Sequence, residues 1–395
     1  MGCVRIGLMS AMKIALVHDD LIQHGGAERL FEAMVEIWPD ADIYTSMTSD
    51  RNPLGLDDDG STRRVEKSFM QKLPLKEKFY RHYFLLYPLA FESFDFSEYD
   101  VVLSSSTRFA HGVITRPETL HVCYMNTPPR MFWEPFTYFE NNSSLRSLLL
   151  PLLSYTRVWD RIAAQRPDVL IANAKTPQAR IKKYYGREST IIYPFVDLER
   201  FDVAAPFYGA SDKAAQSAAA TKNAYFLVVS RLVSWKRIDI TIETCNQLKL
   251  PLKIIGEGPD FQRLKKLAGP TVELLGRLTD EEVVGYYQNC RAFLFPQKED
   301  FGITPLEAQA AGKPAIAFKA GGALETVVGG KTGEFFYPQT ADALARVLKS
   351  FGPEKYQSED CRQQAEKFSK KRFQTELKGF VEKAYEKHTR VLRFG

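Results

Sequence analysis

Residues 291–325 read RAFLFPQKEDFGITPLEAQAAGKPAIAFKAGGALE. The apolar run Ala292–Phe295 stops at Pro296 and reads as a short buried strand. A polar loop then carries Glu299, and Phe301-Gly302-Ile303-Thr304-Pro305 leads into a helix that contains Glu307. Gly302 has no Cβ to hold a ligand away from the backbone. Pro305 suits the first helical position, where free N–H groups form an anion site. Pro314–Phe318 reads as a second strand, ending at Gly321-Gly322 before another helix. Strands that end in glycine loops and alternate with helices build an open parallel α/β sheet, which takes ligands beyond its carboxyl ends. Two bland readings stand beside the functional one. Thr304-Pro305-Leu306-Glu307 has the form of a capping box, and Glu299 alone is an ordinary loop acid.

The same grammar opens the chain. Lys13–His18 is a buried strand, and the loop after it ends in Gly25-Gly26 before a helix with apolar residues at Leu30, Phe31, Met34, Val35 and Trp38. A helix start behind a glycine pair can face a phosphate, although the full G-x-G-x-x-G of a dinucleotide site is missing. Further strands are expected at 99–106, 121–125, 169–174 and 190–194, with a helix introduced by Thr176-Pro177. Periodicity fades after Asp197, so the first domain is taken as 12–200 and a linker as 201–222. The second domain, 223–365, opens with the strand of Tyr225–Arg231; the segment 366–395 carries a long charged helix. Arg231 and Lys236 flank a strand-to-helix turn, where a guanidinium fork and an ammonium both suit a diphosphate. Gly256-Glu257-Gly258 closes the next strand without the third glycine of a nicotinamide-dinucleotide fingerprint. Thr279-x-x-Glu282 reads as a capping box.

Composition bounds the rest. A chain of 395 residues exceeds one typical core, so two domains are expected. The net charge of +5 does not call for nucleic acid. Five scattered cysteines form no metal or disulfide framework. No apolar run is long enough to span a bilayer, and Lys13 with Asp19-Asp20 interrupts any signal-peptide core. Met1-Gly2-Cys3 lacks the Ser or Thr that myristoylation wants at Ile6, and Met12 is an alternative start. The acids of LDDDG at 56–60 read as solvated loop charge. Residues 62–94 alternate basic and aromatic side chains, and 131–166 include Trp133, Phe136, Tyr138 and an apolar run at 148–153. Two readings stand for these segments: helices packed on the domain, or a surface lying on an anionic bilayer.

Glu299 and Glu307, with Phe301-Gly302 and Pro305-Leu306 between them, resemble the E-x7-E signature of retaining group 1 (family 4) glycosyltransferases. SRLVSWKR at 230–237, GEGPD at 256–260 and GGAE at 25–28 are similar to other segments of that family. The resemblance implies a GT-B fold: two Rossmann-like parallel-sheet domains facing across a cleft, with the last helix crossing back. It implies that Arg231 and Lys236 hold the donor diphosphate with the N–H groups near Gly302, Ile303 and Thr304. Glu307 would bind ribose and Glu299 the transferred sugar, while Gly256, Glu257 and Leu278 lie by the base. Gly25 and Gly26 would approach donor phosphates and acceptor, and His111 the sugar.

No metal and no cofactor beyond the nucleotide sugar is expected. KIALVHDDLIQHGGAER and MNTPPRMFWEP are similar to bacterial mannosyltransferases of O-antigen and exopolysaccharide synthesis, which implies GDP-mannose as donor. UDP-glucose or UDP-GlcNAc is the alternative. The implied acceptor is a saccharide or polyprenyl-diphosphate-linked glycan, at the inner face of the cytoplasmic membrane. A non-catalytic glycan-binding protein of the same fold and an NAD(P)-dependent oxidoreductase are the other classes weighed.

Overall fold

The computed structural model describes residues 12–23, 25–49, 63–138, 143–202 and 225–394. The expected linker lies mostly outside these residues, as do LDDDG and the segment before Met12. The chain forms two units, Met1–Tyr193 with Gln374–Gly395, and Pro194–Phe373.

The first unit is built on a seven-stranded parallel sheet: β1 (Ile14–His18), β2 (Asp42–Thr45), β3 (Val65–Lys67), β4 (Val101–Ser106), β5 (Leu120–Met125), β6 (Val169–Ala172) and β7 (Thr190–Ile191). Their order is β3-β2-β1-β4-β5-β6-β7. Every residue of β1, β4 and β5 is buried, which explains their unbroken runs: helices cover both faces, so no alternation is needed. The helices that matter below are α1 (Gly26–Ile37), α2 (Tyr87–Glu92) and α3 (Ser143–Ala163).

The second unit repeats the plan with six strands: β8 (Phe226–Val229), β9 (Leu252–Ile255), β10 (Val272–Gly276), β11 (Ala292–Phe295), β12 (Ala315–Phe318) and β13 (Gly333–Phe336). They are ordered β10-β9-β8-β11-β12-β13, again all parallel. Its helices include α4 (Ile238–Leu248), α5 (Asp280–Asn289) and α6 (Ile303–Ala310). The last helix, α7 (Lys370–Phe394), starts in this unit, and its residues from Gln374 group with the first. There Gln374 donates to the Ala33 carbonyl at 3.3 Å and to Glu36 at 2.9 Å.

In each sheet, strand order reverses direction once, between β1 and β4 and between β8 and β11. Loops leaving neighbouring strands at such a point part to opposite faces and open a crevice at the carboxyl edge. Both crevices are lined by charge.

Candidate functional site

In the second unit, the loop after β8 carries Arg231 and Lys236, and the loop after β11 carries Glu299. Lys236 is in contact with Glu299 as an ion pair, the two side chains only 15% and 17% exposed. Its ammonium also lies 4.5 Å from the Trp235 ring centre. Arg231 is exposed, and its side chain has no hydrogen-bond or ion-pair partner among the described residues. A desolvated ammonium and a free guanidinium thus leave adjacent strands of one crevice. Polyanions are the ligands such a pair favours.

Glu307 is not a helix cap. Gly302, at φ 87°, is the N-cap of α6, so the helix begins at Ile303 and Glu307 is its fifth residue, with Pro305 third rather than first. The carboxylate instead accepts from the Tyr287 hydroxyl at 2.8 Å and faces Arg200 at 3.6 Å. Burial first, then Glu307, pushes the Tyr287 hydroxyl well above its ordinary value, so it remains a donor. Ile303 and Thr304, at the first two helical positions, have N–H groups without an intrahelical acceptor.

Glycines set how closely these loops pack. A Cβ on Gly256 would stand 1.9 Å from the Ser230 carbonyl oxygen, and one on Gly322 would stand 1.9 Å from that of Phe301. The Gly322 N–H donates to the Glu299 carbonyl at 2.9 Å, which fixes the acidic loop. Gly322→Ala is therefore expected to cost about 3 kcal/mol or more in denaturant unfolding, since backbone meets backbone. Gly276→Ala, with φ +71° and nothing within 4 Å of the added carbon, should cost only about 1 kcal/mol of strain.

The remaining expected residues divide. Glu257 is exposed and Leu278 half-buried at the ends of β9 and β10. Phe301 is 4% exposed and packs 5.6 Å from Phe368, so its side chain supports the loop. Gly25, Gly26 and His111 belong to the first unit. The Gly25 N–H is taken by Glu28 at 2.8 Å. His111 is fully buried: Nδ1 pairs with Ser106 Oγ at 3.0 Å and Nε2 lies 3.3 Å from Asp160. Asp160 also accepts from Trp133 at 2.7 Å and Tyr185 at 2.9 Å. In this position the ring ties β4 to α3.

The first unit's crevice holds residues that sequence reading passed over. Asp19, just beyond β1, accepts the N–H groups of Thr107 (2.5 Å), Arg108 (2.9 Å), Phe109 (2.7 Å) and Ala110 (2.8 Å), and the Thr107 hydroxyl at 2.6 Å. Burial raises its pKa, but Arg108, His18, Thr107 and Phe109 outweigh that and hold it below the ordinary value. Asp20 pairs with Arg108 and accepts from Tyr87 at 3.1 Å, while its Oδ1 is buried without a hydrogen-bond partner among the described residues. Here burial wins and the pKa is raised. The only visible signal was two acids directly after a buried strand. Among the described residues, no group of three or more His, Cys, Asp or Glu could hold a metal ion, and no helix is long and apolar enough to cross a membrane.

Comparison with known proteins meets this geometry in the second unit. Residues 210–368 match the family of glycosyl transferases group 1. The O-antigen chain mannosyltransferase C of Escherichia coli is 30% identical over 169 residues, 41% of this chain and 42% of its own. A GDP-mannose-dependent α-(1-6)-phosphatidylinositol monomannoside mannosyltransferase of Mycolicibacterium smegmatis is 27% identical over 201 residues, covering 46% and 52%. The chain thus spans about half, or less, of the length of the curated relatives it matches. Among solved structures, Anabaena Alr3699/HepE in complex with UDP superposes with a TM-score of 0.68 at 19% identity, over 94% of this chain and all of that one. The fold is GT-B, with two parallel-sheet α/β domains.

Proposed function

We propose that the protein is a retaining glycosyltransferase that moves mannose from GDP-mannose to a saccharide or polyprenyl-diphosphate-linked acceptor in cell-surface polysaccharide assembly. The observation that carries this reading is the Lys236–Glu299 pair in the second unit's crevice, inside the segment matched to group 1 glycosyl transferases. Arg231 and Lys236 neutralise the leaving diphosphate, with the N–H groups of Ile303 and Thr304 adding donors at a helix start. Glu299 holds Lys236 in place before the donor arrives, then shares it with the diphosphate and turns its free oxygen to the sugar hydroxyls. Glu307, oriented by Tyr287 and Arg200, takes the ribose hydroxyls. A leaving phosphate oxygen receives the acceptor hydroxyl's proton as the new bond forms on the same face. Such a reaction needs no carboxylate nucleophile of the kind retaining hydrolases use. Two cations supply the charge a metal would otherwise bring, so the transfer is proposed to run without one.

The acceptor side is proposed to lie at the first unit's crevice, where the partly exposed Arg108, held by the buried Asp20, offers a donor for hydroxyls. The mannose donor is supported by the names of the two mannosyltransferase relatives. UDP-glucose or UDP-GlcNAc is the second reading, favoured by the UDP bound in the Anabaena protein. The site of action is proposed as the cytoplasm, at the membrane's inner face.

Thermal unfolding with GDP and with UDP separates these readings. GDP at a hundred times its Kd should stabilise the protein by about 2.7 kcal/mol, with UDP weaker. GDP-mannose, offered beside UDP-glucose and UDP-GlcNAc with a lipid-linked acceptor, should be the sugar nucleotide consumed. Preference for UDP would overturn the donor, and binding without turnover would favour a glycan-binding protein.

A further inference from the structure

Of the two segments that could lie on a bilayer, the structure separates one from the other. Between residues 63 and 94, Met70, Tyr80, Tyr87 and Phe91 are buried in the first unit's core, and the exposed Phe69, Leu75, Leu85 and Leu89 are scattered over short elements and loops instead of one helix face. Helix α3 is built differently. Its inner side, Leu153, Thr156, Asp160 and Ala163, is buried. Its outer side is also apolar: Leu148, Tyr155, Val158 and Ile162 are 77%, 74%, 60% and 58% exposed. At 3.6 residues per turn these four and the exposed Pro151 fall within one arc of about 80°. A helix on a globular surface normally turns charge to water there.

The stripe is extended by its neighbours. The Trp159 Nε1 donates to Glu92 at 2.9 Å, joining α2 to α3, and Leu89, one turn earlier on α2, is 60% exposed. Phe136, 67% exposed, lies 4.6 Å from the Arg146 guanidinium. The ionisable residues of α3 are Arg146, Arg157 and Arg161 against Asp160, and the aspartate is buried. Beside the apolar residues the helix shows solvent the exposed Arg161 and four serines, Ser143, Ser144, Ser147 and Ser154, and no exposed acid.

The geometry points to α3 as a docking helix that lies flat on an anionic lipid bilayer, Leu148, Tyr155, Val158 and Ile162 entering the acyl boundary and Arg161 and Arg146, on the helix flank, meeting headgroup phosphates. Twenty-one residues give about 31 Å of helix, enough to rest along the interface. A second copy of this chain is a poorer occupant, because a two-fold contact would bring together two helices that each carry an exposed cation and no exposed acid. The inference gives a residue-level basis to the proposed site of action, and it can fail independently, since lipid binding is read without any sugar nucleotide.

The test is flotation of the full chain with vesicles of phosphatidylcholine alone and of phosphatidylcholine and phosphatidylglycerol in equal parts. The protein should float with the anionic vesicles and not with the neutral ones. The variant Leu148→Ser/Val158→Ser/Ile162→Ser should lower the bound fraction about tenfold or more, with its melting temperature kept because the replaced side chains face outward. Arg161→Glu, a surface change that leaves the apolar stripe whole, should lower it about fivefold. Equal binding to both vesicles, no binding to the anionic ones, or binding that survives in both variants would overturn the assignment. So would a dimer in solution that the triple variant converts to monomer, which would identify a second copy as the occupant.

Discussion

Replacing Arg231 and Lys236 together by alanine is expected to lower turnover about a thousandfold or more. Charge developing on a leaving diphosphate must be met by groups already in place, and removing one such donor typically costs about a hundredfold or more. The losses are not additive, because Lys236 also holds Glu299. Lys236→Ala alone leaves Glu299, 17% exposed, without its cation, so the acid will seek solvent or bind a proton. Arg263→Ala is the matching control: it removes a cation that is exposed and paired with Asp260, and should change turnover by no more than about twofold. Turnover assays of the three variants, with circular dichroism to establish folding, check this result.

Asp19→Ala should be the most destabilising single change in the first unit's crevice. It removes the acceptor of four backbone N–H groups and one hydroxyl in a buried loop. A buried donor left unsatisfied costs about 1–3 kcal/mol, so the total should reach about 4 kcal/mol even with some relaxation. The effect carries a pH signature. Asp19 is held below its ordinary pKa, so its ionised form stabilises the fold above about pH 4, and that contribution is lost as pH falls through the lowered folded value. The gap between wild type and variant in urea unfolding should be widest near neutral pH and narrow in acid. A gap that does not depend on pH would mean that the loop is held by packing and not by the charge.

Much of this architecture was legible because the strands are buried on both faces. Ala292–Phe295 and Ile14–His18 announce themselves as apolar runs closed by loop residues, and α5 begins at the expected Thr279 capping box. Short edge strands carry no such run: β3 is Val-Glu-Lys and β7 has two residues. Glu307 mimics a cap in one dimension, but the positive φ of Gly302 starts the helix earlier and turns the acid toward Tyr287. Asp19 could not have been assigned, because its partners lie 88 to 91 positions further on. The neighbours of His111 were equally hidden, since Asp160 lies 49 positions further on in another element. The apolar run at 148–153 did not say which of its residues the fold would cover: Leu153 is buried and Leu148 is exposed.

The proposed reaction depends on a diphosphate gripped by Arg231 and Lys236 in the crevice between β8 and β11. Equilibrium titration of GDP and guanosine, and of UDP and uridine, against wild type and Arg231→Ala/Lys236→Ala tests it directly. The wild type should prefer one of the diphosphates to its nucleoside by about a hundredfold or more, and this preference should collapse in the variant while the nucleoside binds both proteins alike. An unchanged preference in the folded variant would contradict it.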